Sequence, residues 1–266
     1  MTSSDELAFD LSDGIATVTI NRPERMNTFT EALLDSLTTV LEGLASDERA
    51  RCVIIRGAGG RAFSCGMDLT RMAAATAEEN QRLIGAGGPL RRAIDAIERY
   101  PYPAVAMISG YAVGAALELI LACDLRVASE DCRVGMPPAR LGIVYPPEGL
   151  ARFVRLLGMQ VTRKLFLTAS YFGSADAMAM GVVDYVVPAP ELEDFTLGLA
   201  RRLALNSPLS MKGHKRSLAL LLDARELNAE ERDELELLAR DAFSSGDAAE
   251  GMAAFEEKRD PDFTGR

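Results

Sequence analysis

Hydrophobic and polar residues alternate along residues 14–20, the pattern of a half-buried strand, and the run ends at Asn21-Arg22-Pro23. Thr30 and Glu31 then begin a segment whose apolar residues recur at helical spacing, which predicts an amphipathic helix. Strand and helix patterns continue to alternate up to residue 128. They predict strands over 52–56, 104–108 and 125–128, and helices over 68–75, 90–99 and 115–121. Such a series favours an α/β fold with a mostly parallel sheet.

After residue 149 the pattern becomes almost entirely helical, interrupted by an apolar run over residues 182–187. Ser174 is predicted to cap one helix, which ends at Gly181. Further helices are predicted over 192–205, 211–222, 228–243 and 248–258. A helical tail of this kind often docks on the preceding core or on a neighbouring subunit.

Composition and charge narrow the class of protein. The chain has 266 residues, enough for one large domain, and a formal net charge of −10, which disfavours a nucleic-acid or anionic-membrane surface. Residues 104–123 are nearly all apolar but include Glu118, so we interpret them as a buried strand and helix and expect no membrane partner. No signal-peptide pattern is visible and the four cysteines lack CxxC spacing, which predicts reduced thiols and a cytoplasmic protein.

Two segments, residues 61–69 and 109–118, carry the candidate chemistry. Each leads from an apolar, β-branched run through small residues into a predicted helix. The start of a helix has unpaired backbone N–H groups and a partial positive charge, and small residues let a ligand approach that backbone. Two such turns directed at one point would provide two N–H donors for a developing oxyanion.

Two side chains are candidates for catalysis. Glu118 is the stronger, because a carboxylate in an otherwise apolar helix must be paired, protonated or functional. The alternative is a structural ion pair, with Arg126 or Arg140 as the partner. Tyr145 lies in a proline-rich turn, where it either acts on a ligand or packs its ring against the core.

Two other features are interpreted as incidental. Residues 57–62 match the glycine pattern of a dinucleotide-binding turn, but residues 63–66 separate them from the next predicted helix. The only histidine, His214, is predicted on an exposed helix face, with nothing to place it beside a nucleophile. Without histidine clusters or spaced carboxylates, no metal site is predicted.

The two turns resemble the oxyanion segments of the crotonase (enoyl-CoA hydratase/isomerase) superfamily, usually written AFxAGxDL and NGxAxGGGxEL, and the resemblance extends from Ile15 to Arg259. It implies an α/β fold, a crotonase-like spiral of ββα units. Residues 1–200 would form the core with the acyl-CoA site, and residues 201–266 a helical C-terminal trimerisation region. The resemblance further implies a homotrimer or homohexamer, an acyl-CoA thioester substrate, and no cofactor beyond its coenzyme A moiety.

The resemblance also assigns individual residues. It places the two oxyanion N–H donors at Met67 and Ala115, and a catalytic carboxylate at Glu118. The coenzyme A contacts fall on eight residues: Arg25, Met26, Thr28, Ala62, Cys65, Asp68, Leu69 and Lys258. The last of these matches a lysine that reaches the coenzyme A of a neighbouring subunit.

Departures from the family pattern bear on the reaction. The second glutamate of typical hydratases falls on Pro138, which cannot exchange a proton. A methylmalonyl-CoA decarboxylase branch is more similar in its Leu-Gly-x-x-Tyr turn, which ends here at Tyr145, although that branch carries a histidine where Met67 stands. We therefore expect an acyl-CoA lyase that decarboxylates a short malonyl-type CoA, with Tyr145 orienting the carboxylate or protonating the enolate. Two alternatives stay open: an enoyl-CoA hydratase/isomerase using Glu118, with Glu148 as the substitute second carboxylate, and a non-catalytic CoA-binding subunit.

Overall fold

The computed structural model describes residues 6–223 and, beyond them, residues 230, 234, 237, 245–247, 250, 254, 257, 259 and 261–266. The helices predicted over 228–243 and 248–258 lie largely outside the described residues, and so does Lys258. The trimerisation role of residues 201–266 therefore stays a prediction. None of the described helices is both long enough and apolar enough to cross a membrane.

Two β-sheets form the centre of the described structure. The larger sheet contains six strands: β1 (Leu7–Ser12), β2 (Ile15–Ile20), β3 (Cys52–Gly57), β5 (Ala104–Ile108), β7 (Leu125–Ser129) and β10 (Tyr185–Val187). The smaller sheet contains four: β4 (Ala62–Ser64), β6 (Tyr111–Val113), β8 (Arg133–Gly135) and β9 (Tyr171–Gly173). The spatial orders are β1-β2-β3-β5-β7-β10 and β4-β6-β8-β9. Only β1 with β2 and β8 with β9 pair antiparallel; the other neighbours are parallel.

The strands alternate between the sheets, and this alternation makes the fold a spiral. Strands β3, β5 and β7 belong to the larger sheet, and each is followed directly by a strand of the smaller one. A helix then leads to the next repeat. The predicted α/β spiral of ββα units is confirmed.

Helices connect the repeats and complete the chain. Those in the described residues are α1 (Glu31–Ala45), α2 (Leu69–Ala74), α3 (Ala77–Ile84), α4 (Pro89–Arg99), α5 (Ala115–Leu121), α6 (Pro147–Thr168), α7 (Ser174–Ala179), α8 (Leu192–Leu205) and α9 (Pro208–Asp223). Helix α6 is interrupted at Gly158, whose φ of +77° lies outside the helical region. A single-turn 3₁₀ helix over Pro138–Leu141 precedes it.

Two helix starts were predicted from residues that can act as N-caps, and the structure confirms one of these caps and not the other. Thr30 caps α1, the helix predicted to begin at Thr30 and Glu31, because its hydroxyl accepts the N–H of Leu33 at 3.1 Å. The prediction that Ser174 caps a helix is wrong, because Gly173 is the N-cap of α7. The Ser174 hydroxyl instead donates to the Glu130 carbonyl at 2.7 Å.

The larger sheet is covered on both faces. Helices α1, α4 and α5 pack on one side of it, and α8 packs on the other. Every residue of β5 is buried, which explains why its sequence is a continuous apolar run and not an alternating one. The apolar stretch over residues 104–123 is thus a buried strand, a short strand and a buried helix, as predicted in outline.

Candidate active site

The site forms where the strands of the smaller sheet end. Strands β4 and β6 are parallel neighbours, so their carboxyl ends lie at the same edge of the sheet. Residues 65–68 lead from β4 into α2, and Gly114 leads from β6 into α5. The topology therefore brings the two predicted oxyanion turns side by side.

The first turn leaves the backbone N–H of Met67 free. The Ser64 hydroxyl accepts the N–H of Gly66 at 3.0 Å. Phe29 pairs with the turn, donating to the Gly66 carbonyl at 2.7 Å and accepting from the Asp68 N–H at 3.0 Å. Because alternate residues of an extended segment direct their N–H groups to opposite sides, the Met67 N–H faces away from Phe29. It finds no acceptor among the described residues.

The second turn places the N–H of Ala115 beside the first turn. Ala115 is the first residue of α5, so its N–H has no acceptor within the helix. Gly66 has a φ of +80°, and a Cβ there would lie 3.0 Å from the Ala115 nitrogen and 2.6 Å from the Val113 carbonyl oxygen. Only glycine fits such a close approach. Because Gly66 directly precedes Met67, the two candidate N–H donors lie close together.

Both turns open onto a cavity of about 420 Å³. Met67, Ala115 and Tyr145 line this cavity, together with Pro138, the position that the family resemblance aligns with the second glutamate of hydratases. Arg140 is the only charged side chain among the described residues that line it. The remaining lining residues are mostly apolar: Met26, Cys65, Leu69, Met72, Ile84, Leu90, Tyr111, Val113, Gly114, Met136, Pro137, Leu141, Ile143 and Tyr171.

A buried polar network stands behind the cavity. The Tyr145 hydroxyl donates to Glu118 Oε2 at 2.5 Å, and Arg152 Nη1 donates to Glu118 Oε1 at 2.7 Å. Arg152 also holds Glu98 with both remaining nitrogens, Nε to Oε1 at 2.9 Å and Nη2 to Oε2 at 3.0 Å. Glu118 is 4% exposed and Arg152 only 2%. Both oxygens of Glu118 are thus committed to partners inside the protein.

Glu118 forms its ion pair with an arginine other than the two that were predicted. Neither Arg126 nor Arg140 pairs with it: Arg126 pairs with Asp184 at 2.9 Å, and Arg152 holds Glu118. The structural ion pair is therefore present, but the predicted partners are wrong. Helical periodicity carried the missed signal, since Arg152 falls on the buried face of α6 beside Phe153.

Charge and burial set the protonation of two members of this network. Burial, and then the charge and hydrogen bond of Glu118, raise the pKa of Tyr145 well above its usual value, so its hydroxyl keeps its proton. Burial alone would lower the pKa of Arg152, but Glu98 and Glu118 outweigh it and raise that pKa. Arg152 is therefore a permanent buried cation, and Tyr145 is a neutral hydrogen-bond donor.

Comparison with known proteins fixes the family. The model of the family described as enoyl-CoA hydratase/isomerase matches residues 10–266. The chain belongs to this family. Its curated relatives include an Escherichia coli methylmalonyl-CoA decarboxylase, 31% identical over 94% of this chain and 95% of that one. They also include an Escherichia coli 2,3-dehydroadipyl-CoA hydratase, 33% identical over 98% of this chain and 99% of that one.

Solved structures of the family share the whole fold. An enoyl-CoA hydratase from Bacillus anthracis, 28% identical, superposes with a TM-score of 0.90 over 98% of this chain and 100% of that one. An enoyl-CoA hydratase/carnithine racemase from Magnetospirillum magneticum, 30% identical, gives a TM-score of 0.91 over 99% and 97%. The relatives carry decarboxylase and hydratase names alike, so family membership identifies an acyl-CoA enzyme fold without choosing the reaction.

Seven of the eight residues that the enoyl-CoA hydratase/isomerase resemblance assigned to coenzyme A are described by the structure, and they fall into three groups. Met26, Cys65 and Leu69 line the cavity. Arg25, which precedes Met26 in the chain, is exposed, whereas Ala62 in β4 is buried. Burial raises the pKa of the Cys65 thiol, which keeps it a thiol and not a nucleophilic thiolate.

Thr28 and Asp68, the third group, are held by a residue that sequence reasoning missed. Arg22 Nη1 donates to the Thr28 carbonyl at 2.6 Å, and Arg22 Nη2 lies 3.3 Å from Asp68 Oδ2. Asp68 also caps α2 through the N–H of Arg71 at 3.3 Å. Arg22 is 7% exposed and fixes this edge of the cavity. A single sequence offers no signal for such a contact between a strand end and a turn.

Three sequence features lie outside the site. Glu148 is exposed in the first turn of α6 and does not line the large cavity, although it borders a smaller pocket together with Glu118. His214 is exposed on α9, as predicted. The glycine pattern over 57–62 connects β3 to β4 and starts no helix. Within the described residues, no group of side chains could hold a metal ion.

Proposed function

We propose that this protein is an acyl-CoA lyase that decarboxylates a short malonyl-type thioester such as methylmalonyl-CoA. One observation carries the proposal: among the described residues, no carboxylate lines the cavity. Adding water to an enoyl-CoA needs a base to activate the water. The family resemblance aligns Pro138 with one such base, and both oxygens of the other candidate, Glu118, are engaged by Tyr145 and Arg152.

Decarboxylation needs fewer catalytic groups than hydration, because no water has to be activated by a base. The bond between Cα and the carboxylate breaks, CO₂ leaves, and the electron pair of that bond forms a thioester enolate. The N–H groups of Met67 and Ala115 hydrogen-bond the enolate oxygen, and one such donor is worth about 3 kcal/mol. The Tyr145 hydroxyl turns from Glu118 Oε2 to the enolate and gives its proton to Cα, which yields propionyl-CoA from methylmalonyl-CoA. The tyrosinate then regains a proton from solvent. The coenzyme A part of the substrate lies along Met26, Cys65 and Leu69.

Hydration of an enoyl-CoA is the second candidate function. It is favoured by the 33% identity to a protein named 2,3-dehydroadipyl-CoA hydratase and by the small pocket that Glu148 and Glu118 share. In this reaction Glu118 would leave Arg152 or Tyr145 to act as the base, and Glu148 would turn inward as the second carboxylate. The movement of Glu118 breaks a hydrogen bond that is present in the free protein.

Mass spectrometry of a mixed substrate pool separates the candidates. The full-length protein is incubated with methylmalonyl-CoA and crotonyl-CoA together. Formation of propionyl-CoA supports the proposal, whereas addition of one water to crotonyl-CoA with no loss of CO₂ contradicts it in favour of hydration. Binding of coenzyme A thioesters without turnover of either would indicate the third alternative, a non-catalytic subunit.

A matched pair of variants tests the role of Tyr145. Tyr145→Phe removes one hydroxyl from the cavity and is expected to slow decarboxylation about 100-fold. Tyr185→Phe makes the same chemical change in β10, away from the cavity, and is expected to leave turnover unchanged. Equal rates for the two variants would remove Tyr145 from the mechanism.

A further inference from the structure

An unbroken chain of charged and polar groups runs from a partly exposed position to the cavity. It begins at Glu98, whose side chain is 29% exposed, and passes through Arg152 and Glu118 to Tyr145. Each link is a hydrogen bond of 3.0 Å or less. Only the last member, Tyr145, lines the cavity.

Stability alone does not account for this chain. Buried ion pairs contribute little net stability compared with well-packed apolar side chains of similar size. Arg152 is nevertheless among the largest fully buried side chains, and it fills a place on α6 between otherwise apolar neighbours. Its position matters for the one carboxylate that it touches inside the core, Glu118.

Arg152 fixes which way that carboxylate points. It binds Glu118 Oε1, so Oε2 is turned to Tyr145 and accepts the phenolic hydrogen. Glu98 binds two other nitrogens of the same guanidinium and prevents it from rotating. The Tyr145 ring is held from a further side by Phe166, with centroids 5.6 Å apart.

We propose that Arg152, anchored by Glu98, is a positioning residue that acts through Glu118 to hold the Tyr145 hydroxyl beside one face of the enolate. This inference rests on the proposed decarboxylation. In this role Glu118 transfers no proton; it holds the Tyr145 oxygen in place until the hydroxyl turns to the enolate. The charge of Arg152 also opposes the rise in the pKa of Tyr145, which supports proton release from the hydroxyl at the moment of transfer.

The stereochemistry of protonation tests the proposal. The enolate is planar at Cα, so in D₂O a fixed donor delivers deuterium to one face and gives one enantiomer of deuterated propionyl-CoA. A displaced donor lets solvent deliver it to both faces. The experiment follows CO₂ release and the enantiomeric ratio of the product for the wild-type protein and for Arg152→Met, Arg152→Lys and Glu98→Gln. A variant that is merely less stable lowers the yield of product but not its enantiomeric ratio.

Arg155 provides the matched control. It lies one turn further along α6 and also contacts Glu98, at 3.4 Å, but its side chain is 30% exposed and no hydrogen bond joins it to Glu118. Arg155→Met therefore removes a guanidinium from the same helix and its contact with Glu98. It leaves the hydrogen bond between Tyr145 and Glu118 in place. It is expected to keep both the rate and the enantiomeric ratio.

We expect Arg152→Met to slow decarboxylation by about tenfold and to give a nearly racemic product, with Arg152→Lys restoring part of the ratio because it keeps the charge. A folded Arg152→Met protein with the wild-type ratio overturns the inference and leaves the proposed function standing. If Arg152→Met does not fold, Glu98→Gln decides, and an unchanged ratio there also overturns it. Absence of CO₂ release by the wild-type protein overturns the proposed function itself, and this inference with it.

Discussion

Gly149 offers a way to move Tyr145 without changing any polar group. Gly149 lies in the first turn of α6, and a Cβ there would be 2.5 Å from Tyr145 Cε1, 2.9 Å from Cδ1 and 3.2 Å from Glu118 Oε1. In Gly149→Ala the tyrosine ring must withdraw by about 1 Å to reach an ordinary van der Waals separation. The neighbours oppose this movement, because the ring also packs on Phe166.

Activity should respond to Gly149→Ala more strongly than stability. A displacement of about 1 Å in a catalytic group can lower turnover about 100-fold, equivalent to about 2.7 kcal/mol in activation free energy. Overpacking costs about 1–3 kcal/mol in the free energy of unfolding, and the helix propensity of alanine offsets up to about 1 kcal/mol of it. We therefore expect a folded, modestly destabilised protein with a severe defect in kcat.

Gly198→Ala is the control for the same substitution in a helix with space for it. At Gly198, in α8, the nearest heavy atom to a new Cβ is Arg202 Nη1 at 4.0 Å. This variant should gain up to about 1 kcal/mol in unfolding free energy and keep its turnover. The assays are steady-state decarboxylation and urea unfolding of both variants. Full turnover in Gly149→Ala would refute the argument that the position of Tyr145 governs the reaction.

Three further predictions concern the turns, the missing glutamate and the buried thiols. Gly66→Ala should lower turnover about 100-fold or more, measured by the same assay, because its Cβ would push the turn away from Ala115. Pro138→Glu should not create crotonyl-CoA hydration by itself, since Glu118 stays bound to Arg152; hydration at a rate comparable to decarboxylation would contradict this. The unfolding free energy, measured by urea titration, should fall as pH rises above about 9, since native thiols then hold protons that unfolded thiols release. Burial raises the pKa of three thiols from 9.0: Cys52 to about 12, Cys123 to about 12 and Cys132 to about 11.

The strongest periodic signals predicted the fold well. The strand over 104–108, the helix over 115–121 and the helix over 192–205 have the same bounds in the structure as in the sequence-based prediction. In each case a buried face supplies an apolar pattern long enough to read, and glycine, proline or polar residues mark the ends. The local sequence was sufficient to predict these three elements because the apolar pattern and the residues that end it lie within one short segment.

Short or half-exposed strands escaped prediction for the opposite reason. β4, β6, β8 and β9 have three residues each, fewer than any periodicity requires. β1 has only one buried residue and is held by its pairing with β2, from Leu7 opposite Ile20 to Ser12 opposite Ile15. These strands owe their existence to partners far away in the chain, so tertiary pairing and not local propensity specifies them.

In the candidate site, too, the features set by local sequence could be predicted, and a contact between distant residues could not. Residues in the two turns could be found from sequence because a strand, small residues and a helix start are all local. The partner of Glu118 could not, since Arg152 lies 34 residues away and several arginines compete for the role. The buried face of α6 did contain a hint, because an arginine at an apolar position requires a charged partner in the core.

Backbone and side chains divide the chemistry of this site between them. The proposed oxyanion donors are the backbone N–H groups of Met67 and Ala115, whose positions are fixed by the strand-to-helix turns and therefore by the fold itself. Such donors stabilise an enolate however it is formed, whether by loss of CO₂ or by attack on a double bond. What the enolate does next depends on which side chain can exchange a proton with it. In the proposed mechanism Pro138 cannot exchange a proton and Arg152 holds Glu118, so Tyr145 is the proton donor. Changing the proposed reaction would then require changing those side chains and not the fold.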